Sequence, residues 1–89
     1  MGTRHEWISA HAARRMQKRA IPMAYVEMIL DFGRPRPSGD GCTSFSMDKR
    51  GWRKIESYFG PAAAAMRPLC NAYVVIASDG TLVTVAWRV

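Results

Sequence analysis

The chain has little with which to hold a metal or build a disulfide framework: two cysteines and two histidines in 89 residues. Cys42 and Cys70 form no C-x-x-C pair, and with His5 and His11 they match no zinc spacing, so no metal and no cofactor is expected. Thiols this far apart in such a chain read as buried free cysteines more readily than as a bridge. No apolar run approaches the ~20 residues that span a bilayer, so no membrane role is expected. The polar opening lacks the apolar stretch of a secretory signal, which makes the cytoplasm the expected compartment. There is no internal repeat, and the one low-complexity run is the alanines at 62–65. Acidic residues are also scarce, seven Asp and Glu against thirteen Lys and Arg, for a net charge of +6 and a pI of about 10.0. A small basic domain favours anionic partners, RNA or another polyanion first.

The cations are clustered. Arg4, Arg14, Arg15, Lys18 and Arg19 crowd the first helical segment, and Lys49, Arg50, Arg53 and Lys54 form a second group beside Asp48. In a helix, His11, Arg15 and Arg19 fall within an arc of roughly 80°, with Arg14 and Lys18 extending it on the other side. Ala12, Ala13, Met16 and Ala20 gather on the remaining face, which can pack on a core. An imidazole beside guanidiniums can titrate near neutral pH while its neighbours hold negative charge, the equipment for handling phosphate esters.

The hydrophobic pattern predicts an α+β single domain over 1–89, with a modest core. A first helix begins near Ser9 as its cap and runs to about Arg19. A second starts at Pro22, carries Met23, Val26, Ile29 and Leu30 at helical spacing, and stops at Gly33. The two helices are expected to form a tight pair packed on a small antiparallel sheet. Residues 33–41, rich in Pro and Gly, read as a flexible loop on which Arg34 and Arg36 can reach a polyanion. A short strand over 42–47 follows, with Phe45 packing. Asp48 caps a middle helix marked by Trp52, Ile55, Tyr58 and Phe59, with one or two further turns before Pro68.

The clearest strand signal is the pair 73–78 and 81–87 around Asp79-Gly80, read as a two-residue type I′ hairpin turn. That turn pairs Ser78 with Thr81, Ile76 with Val83 and Val74 with Val85 on the core face. Tyr73, Val75, Ala77, Leu82, Thr84, Ala86 and Arg88 then share the other face, where Tyr73, Thr84 and Arg88 can line a ligand surface. Exposed sheet edges leave a homodimer open.

The pattern His11-Ala12-x-x-Arg15-Met16-x-x-Arg19-x-Ile21, a second helix ending at Gly33, and the closing hairpin Asp79-Gly80-x-Leu82-Val83-Thr84-Val85 resemble a widespread bacterial family. Its members are small domains of unknown function that open with an "HAxxRMxxRxI" helix. The family is similar in turn to RelE-type and barnase-like ribonucleases. The resemblance spans roughly residues 11–88 and implies a metal-independent, RNA-cleaving, toxin-like ancestry, with an acidic antitoxin-like protein as a partner. It places His11, Arg15, Arg19 and Thr84 in the polar motif. Ala20 stands where the family usually has Gly, and Ala86-Trp87 where a Tyr or other polar residue is common, which weakens the case for a second catalytic group on the last strand.

Metal-free RNA cleavage needs a base for the 2′-hydroxyl, a cation on the phosphorane and an acid for the leaving 5′-oxygen. His11 suits the acid or base role. Arg15 and Arg19 suit the phosphate, because guanidinium bonds two phosphate oxygens and stays charged. Arg88 or Tyr73 can contribute, and bases can stack on Trp52 or Trp87. Two alternatives use the same residues. One is a non-catalytic module that binds nucleic acid or an acidic protein, in which Arg14, Lys18, Arg34, Arg36, Lys49, Arg50, Arg53 and Lys54 carry the affinity. The other is a structural clamp, in which Arg15 and Arg19 pair with Glu27 or Asp31.

Overall fold

A computed structural model of the chain describes residues 7–88. Arg4, His5 and Glu6, which belong to the opening basic stretch and the weighed metal set, lie outside the described residues. The order is α1 (Ala10–Lys18), α2 (Met23–Phe32), β1 (Arg34–Pro37), β2 (Thr43–Ser46), α3 (Lys49–Phe59), a 3-10 segment (Gly60–Asn71), β3 (Ala72–Ile76) and β4 (Leu82–Trp87). The strands form one antiparallel sheet in the order β1-β2-β3-β4. The fold is α+β, as the hydrophobic pattern implied. Among the described residues no helix is long and apolar enough to cross a membrane.

Local chemistry explains the helix ends. The Ser9 side chain accepts from the Ala12 N–H at 3.0 Å and starts α1. At its other end Ile21 N–H bonds Met16 O at 2.9 Å and Ala20 N–H bonds Gln17 O at 3.3 Å. These are the paired bonds of a Schellman ending, which needs a left-handed residue between them, and Ala20 supplies it at φ 54°. Asp48 caps α3 by accepting from the Gly51 N–H at 2.8 Å. Gly33 does end α2, but at φ −76°, so its role is space rather than a left-handed turn. A Cβ there would stand 2.3 Å from the Ile29 carbonyl oxygen.

The core is apolar throughout the described residues. Val26 and Ile29 of α2, Ile55 of α3, Leu69 of the 3-10 segment and Val74, Leu82 and Val85 of the sheet are fully buried together. Truncating a residue such as Ile29 to Ala in such a core costs about 2–5 kcal/mol. α1 lies against β4 rather than forming the expected tight pair with α2. Ala12 is its one fully buried residue, and Trp87 reaches it from β4, donating Nε1–H to Arg19 O at 2.8 Å.

Three sequence expectations are corrected here. Residues 33–41 are not one flexible loop: Arg34–Pro37 is a strand, with Arg34 opposite Ser46 and Arg36 opposite Ser44. Its prolines are tolerated because β1 is the edge of the sheet, where a missing N–H breaks no internal ladder. The Asp79-Gly80 turn is not type I′. Gly80 has φ 90° and Asp79 is not left-handed, whereas type I′ needs positive φ at both central residues. Gly80 N–H bonds Ala77 O at 2.9 Å and Ala77 N–H bonds Thr81 O at 2.8 Å, a three-residue loop. Ile76 therefore faces Leu82, a bulge absorbs Val83, and the expected pairing of Val74 with Val85 is restored beyond it. The shift turns Leu82 into the core instead of onto the other face.

The sheet edges are less open than expected. β1 carries Pro35 and Pro37. At β4, residue Ile8 forms a parallel bridge to Leu82, with Ser9 N–H to Leu82 O at 2.9 Å and Leu82 N–H to Trp7 O at 2.6 Å. Edge-to-edge pairing of two copies thus meets prolines on one side and a partly occupied edge on the other.

Candidate nucleic-acid interface

α1 presents the strip that its spacing predicts. His11, Arg14, Arg15, Lys18 and Arg19 line one surface pocket. Arg15 Nε–H donates to His11 Nε2 at 2.9 Å, one helical turn apart. With Nε2 accepting, the neutral imidazole carries its proton on Nδ1. His11 and Arg19 are exposed and Arg15 is half-buried. Among the described residues, neither arginine makes the ion pair to Glu27 or Asp31 that a clamp between α1 and α2 requires.

Thr84 and Arg88 are elsewhere. Beyond the bulge, Thr84, Ala86 and Arg88 alternate onto the sheet face opposite Val85 and Trp87, while Trp87 reaches α1. The register aligns Arg34, Ser46, Tyr73 and Ala86 in one row of that face and Arg36, Ser44, Val75 and Thr84 in the next. Apart from Ala86, which is buried, these residues are half-buried or exposed. Sequence reading set Tyr73, Thr84 and Arg88 on one such face but missed its β1 edge, because it took residues 33–41 for a loop.

At one end of this face lies a cleft of about 470 Å³. Arg34 and Arg36 of β1, Lys49 at the start of α3, Arg67 of the 3-10 segment and Arg88 after β4 bring five cations to it. Among the described residues none of the five makes an ion pair. The one carboxylate in the lining, Asp48, is engaged in capping α3. Trp52 forms part of the wall, with the Arg67 guanidinium 5.1 Å from its ring centroid. Such stacking is worth about 0.5–2 kcal/mol and orients the guanidinium while leaving its N–H groups free to bond. Trp52 is only 9% exposed, and its Nε1–H is buried without an acceptor. Arg67 carried no weight in the sequence reading, because an isolated arginine near Pro68 has no pattern; only the fold brings it beside Arg88.

The remaining predicted cations are dispersed. Arg50 and Lys54 line a separate surface depression with Asp31 and Asp48, and Arg53 is exposed on α3. Cys70 lines the basic cleft, and Cys42 lies near the β1–β2 turn; both thiols are free. Burial pushes the Cys70 thiol up, against the pull of Arg67 and with a smaller push from Glu56. Among the described residues no three His, Cys, Asp or Glu side chains gather as a metal site would require.

No protein-family model, curated protein or solved structure matches the chain.

Proposed function

We propose that this domain binds single-stranded nucleic acid, RNA above all, using the basic cleft and the polar sheet face beside it. What carries the reading is the cleft's charge: five cations converge on one concave site whose single carboxylate is engaged elsewhere. Unpaired converging arginines repel one another, and a phosphate relieves that repulsion through charge-assisted, two-pronged bonds. Ser44, Ser46, Tyr73 and Thr84 give the adjoining face hydroxyl groups for sugars and bases and one aromatic ring for stacking. Fluorescence anisotropy with short RNA across a salt series tests it. Affinity should fall by about 0.7 log units per phosphate contact per log unit of salt. Arg34→Ala and Arg88→Ala should each weaken binding and flatten that slope. Affinity that ignores salt, or that survives both changes, defeats the proposal. An acidic protein partner would compete for the same cations, and added RNA would then displace it.

A second reading is favoured by the contact between His11 and Arg15: metal-independent RNA cleavage at α1, with His11 as acid or base and Arg15 and Arg19 on the phosphate. Thr84 and Arg88 stand apart from that pocket, so catalysis there relies on α1 alone. Cleavage in EDTA that disappears in folded His11→Ala supports it; no cleavage by the wild-type protein removes it.

A further inference from the structure

We infer that the basic cleft recognises a terminal phosphomonoester of the bound strand, rather than an internal stretch of backbone. The inference rests on the nucleic-acid reading and narrows it. Its ground is where the sheet places its charges. The cleft is built from the start of β1 (Arg34), the end of β2 (Ser46), the segment before β3 (Cys70) and the residue after β4 (Arg88). In an antiparallel sheet these positions share one end. α3 and the 3-10 segment wall that end through Trp52, Lys49 and Arg67.

Beyond Arg34 and Arg36 on the β1 edge, the face is not basic. Its inner strands carry Ser44, Tyr73, Val75 and Thr84. The turns at the opposite end, residues 38–42 and 77–81, contain Asp40 and Asp79 and no lysine or arginine. A backbone running from the cleft over the inner strands to the far turns would take its phosphates from the cations, over neutral residues, to two carboxylates. A strand that ends in the cleft keeps its phosphates at the cationic end. A terminal phosphomonoester also suits the site in kind, since it carries nearly two charges at neutral pH and three free oxygens, where an internal diester carries one charge and two. Arg34 and Arg36 project from the same face about 7 Å apart, so two forks can approach one phosphate from neighbouring positions. The nucleoside attached to that phosphate then lies over the neutral face, where the Tyr73 ring stands one strand from Ser46.

The test is direct binding of six-nucleotide RNAs of one sequence bearing a 5′-phosphate, a 3′-phosphate or hydroxyls at both ends, each labelled away from the end under test. At least tenfold tighter binding of one phosphorylated form is expected, and which form wins assigns the polarity. The preference should grow as pH rises from 5 to 7, because the phosphomonoester gains its second charge near pH 6. Arg88→Ala should abolish the preference, Arg88→Lys should retain part of it, and Gln17→Ala on the exposed side of α1 should leave it intact. Equal affinity for the three RNAs overturns the end-recognition inference while the nucleic-acid reading stands. If no RNA binds but a nucleoside monophosphate perturbs Trp52 fluorescence, in a manner lost in Trp52→Phe, the phosphomonoester site stands and the nucleic-acid reading falls. If neither binds, both fall.

Discussion

The indole Nε1–H of Trp87 donates to the carbonyl oxygen of Arg19 at 2.8 Å, joining the last residue of β4 to the end of α1. The bond satisfies a donor at a place where Trp87 also packs on the core. Trp87→Phe keeps most of the packing and removes the bond, so a loss of about 1 kcal/mol is expected. In a domain of this size that lowers Tm by roughly 4–8 °C in a thermal melt. A Tm unchanged in Trp87→Phe would show that water replaces the bond at no cost.

Ala20 closes α1 at φ 54°, a conformation that costs an L-residue about 1 kcal/mol and glycine almost nothing. Ala20→Gly is therefore expected to stabilise the domain by up to about 1 kcal/mol, an unusual sign for a substitution to glycine. Chemical denaturation of both proteins measures it. The Schellman bonds of Ala20 and Ile21 supply the reason that a left-handed residue is needed there.

Gly51 lies inside α3, where glycine is ordinarily a weak choice. A Cβ there would meet the Phe32 carbonyl oxygen at 2.2 Å and the Met47 sulfur at 2.7 Å. Gly51→Ala must push α3 away from the end of α2, and a loss of about 3 kcal/mol is expected. Gly80→Ala meets nothing within 4 Å and suffers only from φ 90°, so it should cost about 1 kcal/mol. Equal losses at the two positions would contradict the close approach of α3 to Phe32.

Two groups give expectations in pH. The Asp79 carboxyl is held below the usual carboxylate range by the Thr81 N–H, which it accepts at 2.9 Å. Its contribution to stability is present above the unfolded carboxyl value of 3.8 and is lost as pH falls through the lower, folded one. An NMR titration should show the Asp79 carboxyl and the Thr81 amide moving together, below pH 4.

The Cys70 thiol is pushed up from 9.0 chiefly by burial, while Arg67 pulls it down. In a Cys42→Ser background, iodoacetamide should react slowly at neutral pH and speed up only above the ordinary thiol range. Arg67→Ala, by removing the opposing pull, should shift that rise to still higher pH. Fast labelling at pH 7 would mean that Cys70 is not shielded as described.

Much of the fold was legible because it is local. Ser9 and Asp48 announce helix starts through side chains that bond their own first turns. The spacing of Val26 and Ile29, and of Trp52 and Ile55, marks the faces that become core. The α1 strip was legible for the same reason, since 3.6-residue periodicity alone sets His11 beside Arg15. β1 was not legible: Arg34-Pro35-Arg36-Pro37 has poor strand propensity and is a strand because β2 offers it an edge. Nor was the turn at Gly80, whose type decides whether Leu82 or Val83 enters the core.

Composition and periodicity alone determine an α+β chain with a strong excess of positive charge, its helix caps and the basic face of α1, because these depend on residues a few positions apart. The tertiary structure decided that Arg34, Arg36, Lys49, Arg67 and Arg88 share one cleft while His11 does not. Those five cations span most of the chain. They meet only because an antiparallel sheet returns alternate strand ends to one place and α3 and the 3-10 segment close over it.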